Sequence, residues 1–303
     1  MDTRDVRQFI LLAIVVTLFP LCLRSGAQTA AWQAAVAGAA ARAPDAEIVV
    51  VDLASGRVAA AHRLAEAART LAYPGSTLKP IALYGLIQSG KWDPERRIAC
   101  SRTLYVAGRE LNCSHPEMPP LNAQGALTWS CNTYFATVAR GIAPGELRTL
   151  LEPSGLLATT GLAESETEAR FRPPKTTDET QLTLLGVDGI EVTPLELVRA
   201  YRWLGLQFGA HPEARAAQIV LAGIRDSASF GMAENAGLGG VAVAGKTGTA
   251  GRAAGGQTHG WFVGLAPAQH PQIALVVYLP VGRGADAAAV AGEVLKESPL
   301  RAR

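Results

Sequence analysis

Short apolar runs near the two ends of the chain predict the strands of one sheet. Residues 47–53 (EIVVVDL) carry four consecutive apolar residues, 48–51, between Glu47 and Asp52, which indicates a buried strand. A turn at 54–57 leads to a second short strand at 58–61, so this region predicts a hairpin. In the last third of the chain, turns that contain glycine or proline separate three more predicted strands, at 241–244, 260–265 and 273–279.

Helical patterns occupy most of the chain between these strands. The break at Pro74-Gly75 is followed by an apolar pattern that predicts a helix from Ser76 to Gln88. A second start signal is Thr193-Pro194-Leu195-Glu196, where an N-cap threonine, a proline at the first helical position and a glutamate three residues after the cap predict a capping box. Further helices are expected at 29–42, up to Trp129, after Asn132, and at 212–226 and 285–297, whereas 90–121 and 152–180 are expected to be mostly irregular.

This order of elements predicts an α/β fold of the α+β type. We expect the N-terminal hairpin to pair with the three C-terminal strands in one antiparallel sheet that is flanked by helices. The helical middle of the chain, roughly residues 90–235, would form a subdomain inserted between them. A cleft between the sheet and this subdomain is the expected place for a site.

The first 28 residues predict a signal peptide or a signal anchor. Arg4 and Arg7 precede an apolar run from Phe9 to Leu23, and small residues follow at 25–27. This run of 15 residues is shorter than the roughly 20 that a membrane-crossing helix requires, which favours a cleaved signal over an anchor. We therefore expect residues 29–303 to form one domain outside the cytoplasmic membrane, with membrane contact only through the N-terminal segment.

Composition and cysteine spacing argue against a nucleic-acid partner and against a bound metal. With 18% charged residues, a net charge of +2 and no block of like charges, the chain of 303 residues gives no electrostatic reason to expect a nucleic-acid partner. Cys100 and Cys113 bracket a polar loop and could pair in an oxidising compartment, while Cys131 stands apart in the sequence. Because no C-x-x-C and no histidine–cysteine ligand spacing is evident, we expect no metal and no cofactor.

Three short motifs carry the candidate chemistry, and each is common by chance when taken alone. They are Ser76-Thr77-Leu78-Lys79, Ser130-Cys131-Asn132 and Lys246-Thr247-Gly248-Thr249. A serine hydroxyl is a weak nucleophile until a base removes its proton, and residues three apart on a helix share a face, so Lys79 could act on Ser76. The free N–H groups of a helix start favour negative charge at Ser76 and disfavour a protonated Lys79.

The three motifs together, in this order, resemble S-x-x-K, S-D-N and K-T-G of class A β-lactamases and penicillin-binding proteins. The resemblance is closest to class B penicillin-binding proteins and covers about residues 45–297. It extends to the residues around each motif, to a threonine-proline-leucine helix and to the strand after the third motif: 73–80, 130–136, 192–197, 244–250 and 261–264. It implies the serine transpeptidase fold and activity on D-Ala-D-Ala stem peptides of peptidoglycan, with β-lactams as covalent ligands and cell-wall synthesis proteins as possible partners.

The resemblance also implies a role for each motif residue. Ser76 would be the nucleophile, Ser130 would relay protons toward Lys79 and the leaving amine, and Asn132 would hold Lys79 and a substrate amide. The third motif would bind a carboxylate through the charge of Lys246 and the hydroxyls of Thr247 and Thr249, while Gly248 lets substrate approach the backbone. The oxyanion hole would use the backbone N–H groups of Ser76 and Thr249.

Two other functions stay open at the level of sequence. A serine β-lactamase would share the acylation step and add a deacylating base, for which Glu164, Glu166 and Glu168 are candidates, although a solvated acidic loop is the simpler interpretation. The second open function is that of a non-catalytic penicillin sensor or cell-wall accessory module. Two departures from class B enzymes bear on this choice: we expect these 303 residues to hold no accessory domain of the usual large size, and His115-Pro116 stands where a His-Gly pair is usual.

Overall fold

The computed structural model describes residues 26–143, 145–251 and 256–301. Cys22 and all but the last three residues of the predicted signal segment therefore lie outside the described residues. Among the helices of the described part, none is both long enough and apolar enough to cross a membrane.

One five-stranded antiparallel sheet organises the molecule. Its strand order is β2-β1-β9-β8-β7, so the N-terminal hairpin pairs with the C-terminal strands through β1 and β9, as the sequence predicted. Val49 of β1 lies opposite Val276 of β9 in this register. The strands are β1 (Glu47–Asp52), β2 (Val58–His62), β7 (Ala244–Gly251), β8 (Thr258–Ala266) and β9 (Ile273–Leu279).

Helices cover both faces of this sheet, and eight of the ten helices in the described residues lie between β2 and β7. The helices are α1 (described over 26–40), α2 (Leu64–Ala67), α3 (Lys79–Gln88), α4 (Ala123–Thr128), α5 (Asn132–Ala139), α6 (Glu146–Leu151), α7 (Thr177–Leu184), α8 (Pro194–Ala210), α9 (Arg215–Ser229) and α10 (Gly284–Lys296). Three 3-10 turns occupy Gly75–Leu78, Glu152–Ser154 and Glu234–Gly239. Two small hairpins join β3 (Tyr105–Val106) to β4 (Arg109–Glu110) and β5 (Arg170–Phe171) to β6 (Ile190–Glu191).

The alternating side chains of the strands divide the apolar core into two clusters. On one face, Val49 and Val276 pack with the buried residues of α3, α5, α8 and α9. On the other face, Val50 and Phe262 pack with α1 and α10. Both faces of the sheet are therefore buried, which explains why β1 and β9 read as continuous apolar runs rather than as alternating ones.

Helix α8 begins where the sequence predicted, and its start is held by the predicted capping box. The Thr193 hydroxyl accepts from the Glu196 backbone N–H at 3.2 Å, and the Glu196 carboxylate accepts from the Thr193 N–H at 2.8 Å. Burial raises the pKa of Glu196 to about 7, against the lowering effect of these bonds. The carboxylate also accepts from Ala169 N–H at 2.6 Å, so it ties the preceding loop to α8.

Among the predicted boundaries that differ from the structure, two bear on the site. The helix expected from Ser76 begins with a 3-10 turn at Gly75–Leu78 and becomes α-helical only at Lys79. The strand expected at 241–244 starts at Ala244 and continues to Gly251, so the third motif lies inside β7 and does not follow it. The expectation failed because Lys246-Thr247-Gly248-Thr249 lacks an apolar run, although its backbone pairs with β8 throughout. The boundaries of the helical subdomain stay a prediction.

Candidate active site

The three motifs converge at the junction of α3, α5 and β7. Lys79 begins α3, Ser130 and Asn132 flank the start of α5, and Lys246 lies in β7. The Ser130 hydroxyl oxygen accepts from Lys79 Nζ at 3.4 Å and from Lys246 Nζ at 2.9 Å. One hydroxyl thus bridges two lysines that are separated by 167 positions in the chain, between 79 and 246.

Lys79 is fully buried, and its amine is held by the second motif. Besides the Ser130 hydroxyl, Nζ donates to the Ser130 carbonyl at 3.0 Å and to Asn132 Oδ1 at 2.7 Å, and it lies 5.1 Å from the centre of the Phe135 ring. Burial lowers the pKa of Lys79 to about 8, and the electrostatic effect of Cys113 and Cys131 opposes that lowering. The neutral amine that a general base requires is therefore accessible near physiological pH.

Lys246 is also fully buried. Its Nζ donates to the Ser130 hydroxyl and to the Thr247 carbonyl at 3.0 Å. Burial, followed by the positive charge of Lys79, lowers the pKa of Lys246 well below its ordinary value. Two ammonium groups that share one hydroxyl disfavour each other, so an incoming anion would be attracted to this pair.

Ser76 is partly exposed and lies on a turn that other elements hold in place. Its segment, residues 73–78, is called the Ser76 turn below. The Thr77 hydroxyl donates to the Pro74 carbonyl at 2.7 Å, and the buried Tyr201 hydroxyl of α8 donates to the Thr77 carbonyl at 2.9 Å. Helix α8 therefore positions the serine, a role that the sequence did not reveal.

Strand β8 holds the start of the Ser76 turn. The Tyr73 carbonyl accepts from Trp261 Nε1 at 2.9 Å and lies 2.8 Å from His259 Nε2. These bonds span more than 185 residues of sequence separation. The contact gives His259 a structural role at the Ser76 turn.

Glycines allow β7 to lie directly against the Ser76 turn. A Cβ on Gly248 would lie 2.5 Å from the Pro74 carbonyl oxygen and 3.0 Å from Thr77 Cγ2. A Cβ on Gly75, where φ is +55°, would lie 3.0 Å from the Thr249 backbone nitrogen. Gly248 therefore admits the backbone of the Ser76 turn, and the expectation that it also lets substrate approach stays a prediction.

The two threonines of the third motif lie on the face of β7 opposite Lys246, since strand side chains alternate. The Thr247 hydroxyl is buried and donates to the Met232 carbonyl at 3.3 Å. The exposed Thr249 hydroxyl accepts from the Gly284 N–H at 2.8 Å, which leaves its own hydrogen able to donate. Of the two, Thr249 is the better placed to bind a ligand, and a carboxylate role for both stays a prediction.

The second motif is a strained turn that is tied to the loop before it. Ser130 has φ of +55°, a conformation that side-chain-bearing residues rarely adopt outside functional or tightly constrained positions. Asn132 Nδ2 donates to the carbonyls of Leu111 and Asn112 at 3.2 and 3.1 Å. Asn132 therefore connects the 111–112 backbone to Lys79.

Glu166 is engaged in holding its own loop. It accepts from the backbone N–H of Thr160, from the Thr160 hydroxyl at 2.9 Å and from Ala163 N–H at 2.9 Å. These bonds lower its pKa although burial opposes them. The arrangement fits a loop-stabilising carboxylate.

Cys131 does not stand apart in the folded chain. Its sulfur lies 3.9 Å from that of Cys113, and all three cysteines of the described residues are free thiols, so Cys100 and Cys113 do not form a disulfide here. Together with His115 they make a compact group of possible metal ligands. The expectation of no metal rested on linear spacing, which does not show that the 100–115 loop folds back onto the second motif.

An antiparallel sheet that brings a serine turn, a Ser-x-Asn segment and a Lys-Thr-Gly strand together defines a transpeptidase-type domain. Residues 46–299 match the model of the penicillin binding protein transpeptidase domain, and the chain belongs to this family. It is a penicillin-binding-protein-type transpeptidase domain.

Solved structures support the same fold. The chain is similar to the apo transpeptidase domain of Burkholderia pseudomallei penicillin-binding protein 3, with a TM-score of 0.77, 20% identity and coverage of 90% of this chain and 93% of that one. It is also similar to a peptidoglycan glycosyltransferase from Burkholderia ambifaria, with a TM-score of 0.75, 20% identity and the same coverage. The comparison with curated protein sequences found no match.

Proposed function

We propose that this protein is a serine D,D-transpeptidase or D,D-carboxypeptidase that acts on D-Ala-D-Ala stem peptides and binds penicillin covalently at Ser76. The observation that carries the proposal is the bridge of Lys79 and Lys246 through the Ser130 hydroxyl. We also propose that it acts outside the cytoplasmic membrane, where peptidoglycan lies, with residues 1–28 as its signal or anchor.

In the proposed acylation, neutral Lys79 takes the proton of Ser76. The Ser76 Oγ forms a bond to the carbonyl carbon of the penultimate D-Ala, and the bond from that carbon to the leaving D-Ala nitrogen breaks. The leaving nitrogen receives a proton through Ser130, which contacts both lysines. The pKa of about 8 for Lys79 supports this role because it makes the neutral form available without a large penalty.

Lys246 and Thr249 would bind the carboxylate of the substrate or of the β-lactam. Lys246 has lost favourable solvation through burial and lies near a second cation, so a carboxylate would compensate its charge. Because β7 is the edge strand of the sheet, a carboxylate along its open edge would accept from Lys246 on one face and from the Thr249 hydroxyl on the other. The oxyanion formed on the carbonyl would accept from the N–H groups of Ser76 and Thr249, which the glycine contact at Gly75 brings together.

A fluorescent penicillin tests the proposal. Purified wild-type protein should become covalently labelled, and Ser76→Ala should abolish the label. Ser89→Ala is a matched control, because Ser89 caps the C-terminal end of α3, the helix that follows the Ser76 turn, and its hydroxyl donates to the Gly85 carbonyl at 2.8 Å. Its labelling should equal that of the wild type.

The fate of the label separates the enzyme classes. A label that persists for many minutes supports a penicillin-binding protein, and release of D-Ala from a D-Ala-D-Ala peptide would identify carboxypeptidase activity. Rapid release of hydrolysed drug would indicate a β-lactamase instead. A folded wild-type protein that takes up no label would refute the acyl-serine mechanism and favour a non-catalytic module.

A further inference from the structure

Four possible metal ligands converge beside the second motif. The donor atoms of Cys100, Cys113, His115 and Cys131 all lie within 4.8 Å of one another. The Cys113 and Cys131 sulfurs are 3.9 Å apart. A tetrahedral zinc ion with Zn–S bonds of about 2.3 Å places its sulfurs about 3.8 Å apart, so this pair already has the separation that zinc requires.

One nitrogen of the buried His115 ring is left for a metal. It is 1% exposed, and its Nδ1 lies 2.7 Å from the Pro116 carbonyl oxygen. Because a carbonyl can only accept, Nδ1 carries the hydrogen and Nε2 carries the lone pair. Nε2 is buried and has no hydrogen-bond partner among the described residues. A ligating histidine typically shows this pattern, with one nitrogen bonded to a carbonyl and the other free for the metal.

Two of the sulfurs accept backbone N–H groups. The Arg102 N–H points at Cys100 Sγ at 3.3 Å, and the Asn132 N–H points at Cys113 Sγ at 3.1 Å. Such donors stabilise negative charge on sulfur, and the thiolate is the form that binds a metal. The arrangement is therefore more than a chance meeting of buried thiols.

We propose that Cys100, Cys113, His115 and Cys131 bind one zinc ion. Three sulfurs and one nitrogen in a tetrahedral set are the usual ligands of structural zinc, and four protein ligands leave no position open for substrate. The ion would join the 100–115 loop to the second motif.

The proposed ion is a positioning element for the site. Cys131 lies directly between Ser130 and Asn132, whose side chains hold Lys79. Fixing Cys131 therefore fixes both neighbours, including the strained backbone of Ser130. The metal site does not depend on the proposed function. Its positioning role does, because that role is defined by the proposed acylation of Ser76.

Metal content tests the site directly. Protein purified without a metal-affinity tag should contain one zinc per chain by mass spectrometric elemental analysis. Cys113→Ser and His115→Ala should lose it, whereas the matched control His270→Ala, in an exposed turn after β8, should retain it. Chelator-treated wild-type protein given Co²⁺ should show the intense near-ultraviolet absorption of cobalt–thiolate bonds, a measurement that needs no variant to fold.

Several results would overturn the proposal. The site would be refuted if folded wild-type protein took up neither zinc nor cobalt, or if it held stoichiometric iron in place of zinc. A disulfide between any two of the three cysteines, or full zinc retention in both ligand variants, would refute it as well. The positioning role has its own readout. Removing zinc should slow penicillin labelling at least several-fold and adding it back should restore the rate, while an unchanged rate at confirmed zinc loss would refute that role and leave the site standing.

Discussion

The protonation state of Lys79 predicts how the acylation rate depends on pH. Burial lowers the pKa of Lys79 from 10.5 to about 8, which corresponds to protonation that is less favourable by about 3 kcal/mol. Only the neutral amine can take the Ser76 proton, so the rate should rise as pH increases through the pKa and then level off. The neutral fraction increases about tenfold between pH 7 and pH 9 for a pKa of 8, and about a hundredfold for an unshifted lysine.

The assay is the second-order rate of labelling by a fluorescent penicillin between pH 6 and pH 10. The expected curve has one inflection near pH 8 and a plateau above it. Lys79→Arg, which stays charged throughout this range, should lose labelling at every pH. In Lys246→Arg the permanent charge beside Lys79 should move the inflection to lower pH without removing it.

Two results would refute this reasoning. A wild-type rate that keeps rising tenfold per pH unit up to pH 10 would mean that Lys79 keeps an ordinary pKa despite its burial. A rate that does not change between pH 6 and pH 9 would mean that another group takes the Ser76 proton.

Three substitutions test the support of the site. Asn132→Ala removes the bond to Lys79 and two loop contacts, so it should lower the free energy of unfolding by about 1–3 kcal/mol and slow labelling; unchanged labelling would contradict the holding role. Gly186→Ala introduces a Cβ 2.2 Å from the Gly75 carbonyl oxygen at φ of +69°, so denaturant unfolding should show a loss of about 2–6 kcal/mol, and a loss below 1 kcal/mol would refute the close contact. Tyr201→Phe leaves the Thr77 carbonyl without its donor, so it should cost about 1–3 kcal/mol and slow labelling; equal stability would show that the bond contributes nothing.

The sheet and the three motifs could be predicted from the sequence because their signals are local. The apolar run of 48–51 and the capping box at Thr193 each depend on residues only a few positions apart. The resemblance of the three motifs to those of penicillin-binding proteins likewise indicated the residues that meet at Ser130. Where the local signal was weak, as in the polar and glycine-rich segment 246–249, the extent of the strand was missed.

The contacts that position the site could not be predicted, since they join distant parts of the chain. Tyr201 and Trp261 each bond to a carbonyl of the Ser76 turn from more than 120 residues away. A tyrosine or a tryptophan in an apolar segment looks like an ordinary core residue. Gly248 was understood as a glycine that admits close approach, but only the packing showed that the Ser76 turn is what approaches.

The cysteine and histidine group was missed for the same reason. Its ligands come from an irregular loop and from the start of α5, and their spacing matches no short metal motif. Only the folding of residues 100–115 against Ser130-Cys131-Asn132 brings the donors together. The free Nε2 of His115 is a property of the packed structure that no sequence pattern encodes.

Peptide mapping by mass spectrometry after incubation with a penicillin tests the central claim most directly. The account predicts that intact protein gains the mass of one penicillin molecule and that the adduct maps to the peptide carrying Ser76. An adduct on any other residue, or folded protein whose mass is unchanged, would contradict it.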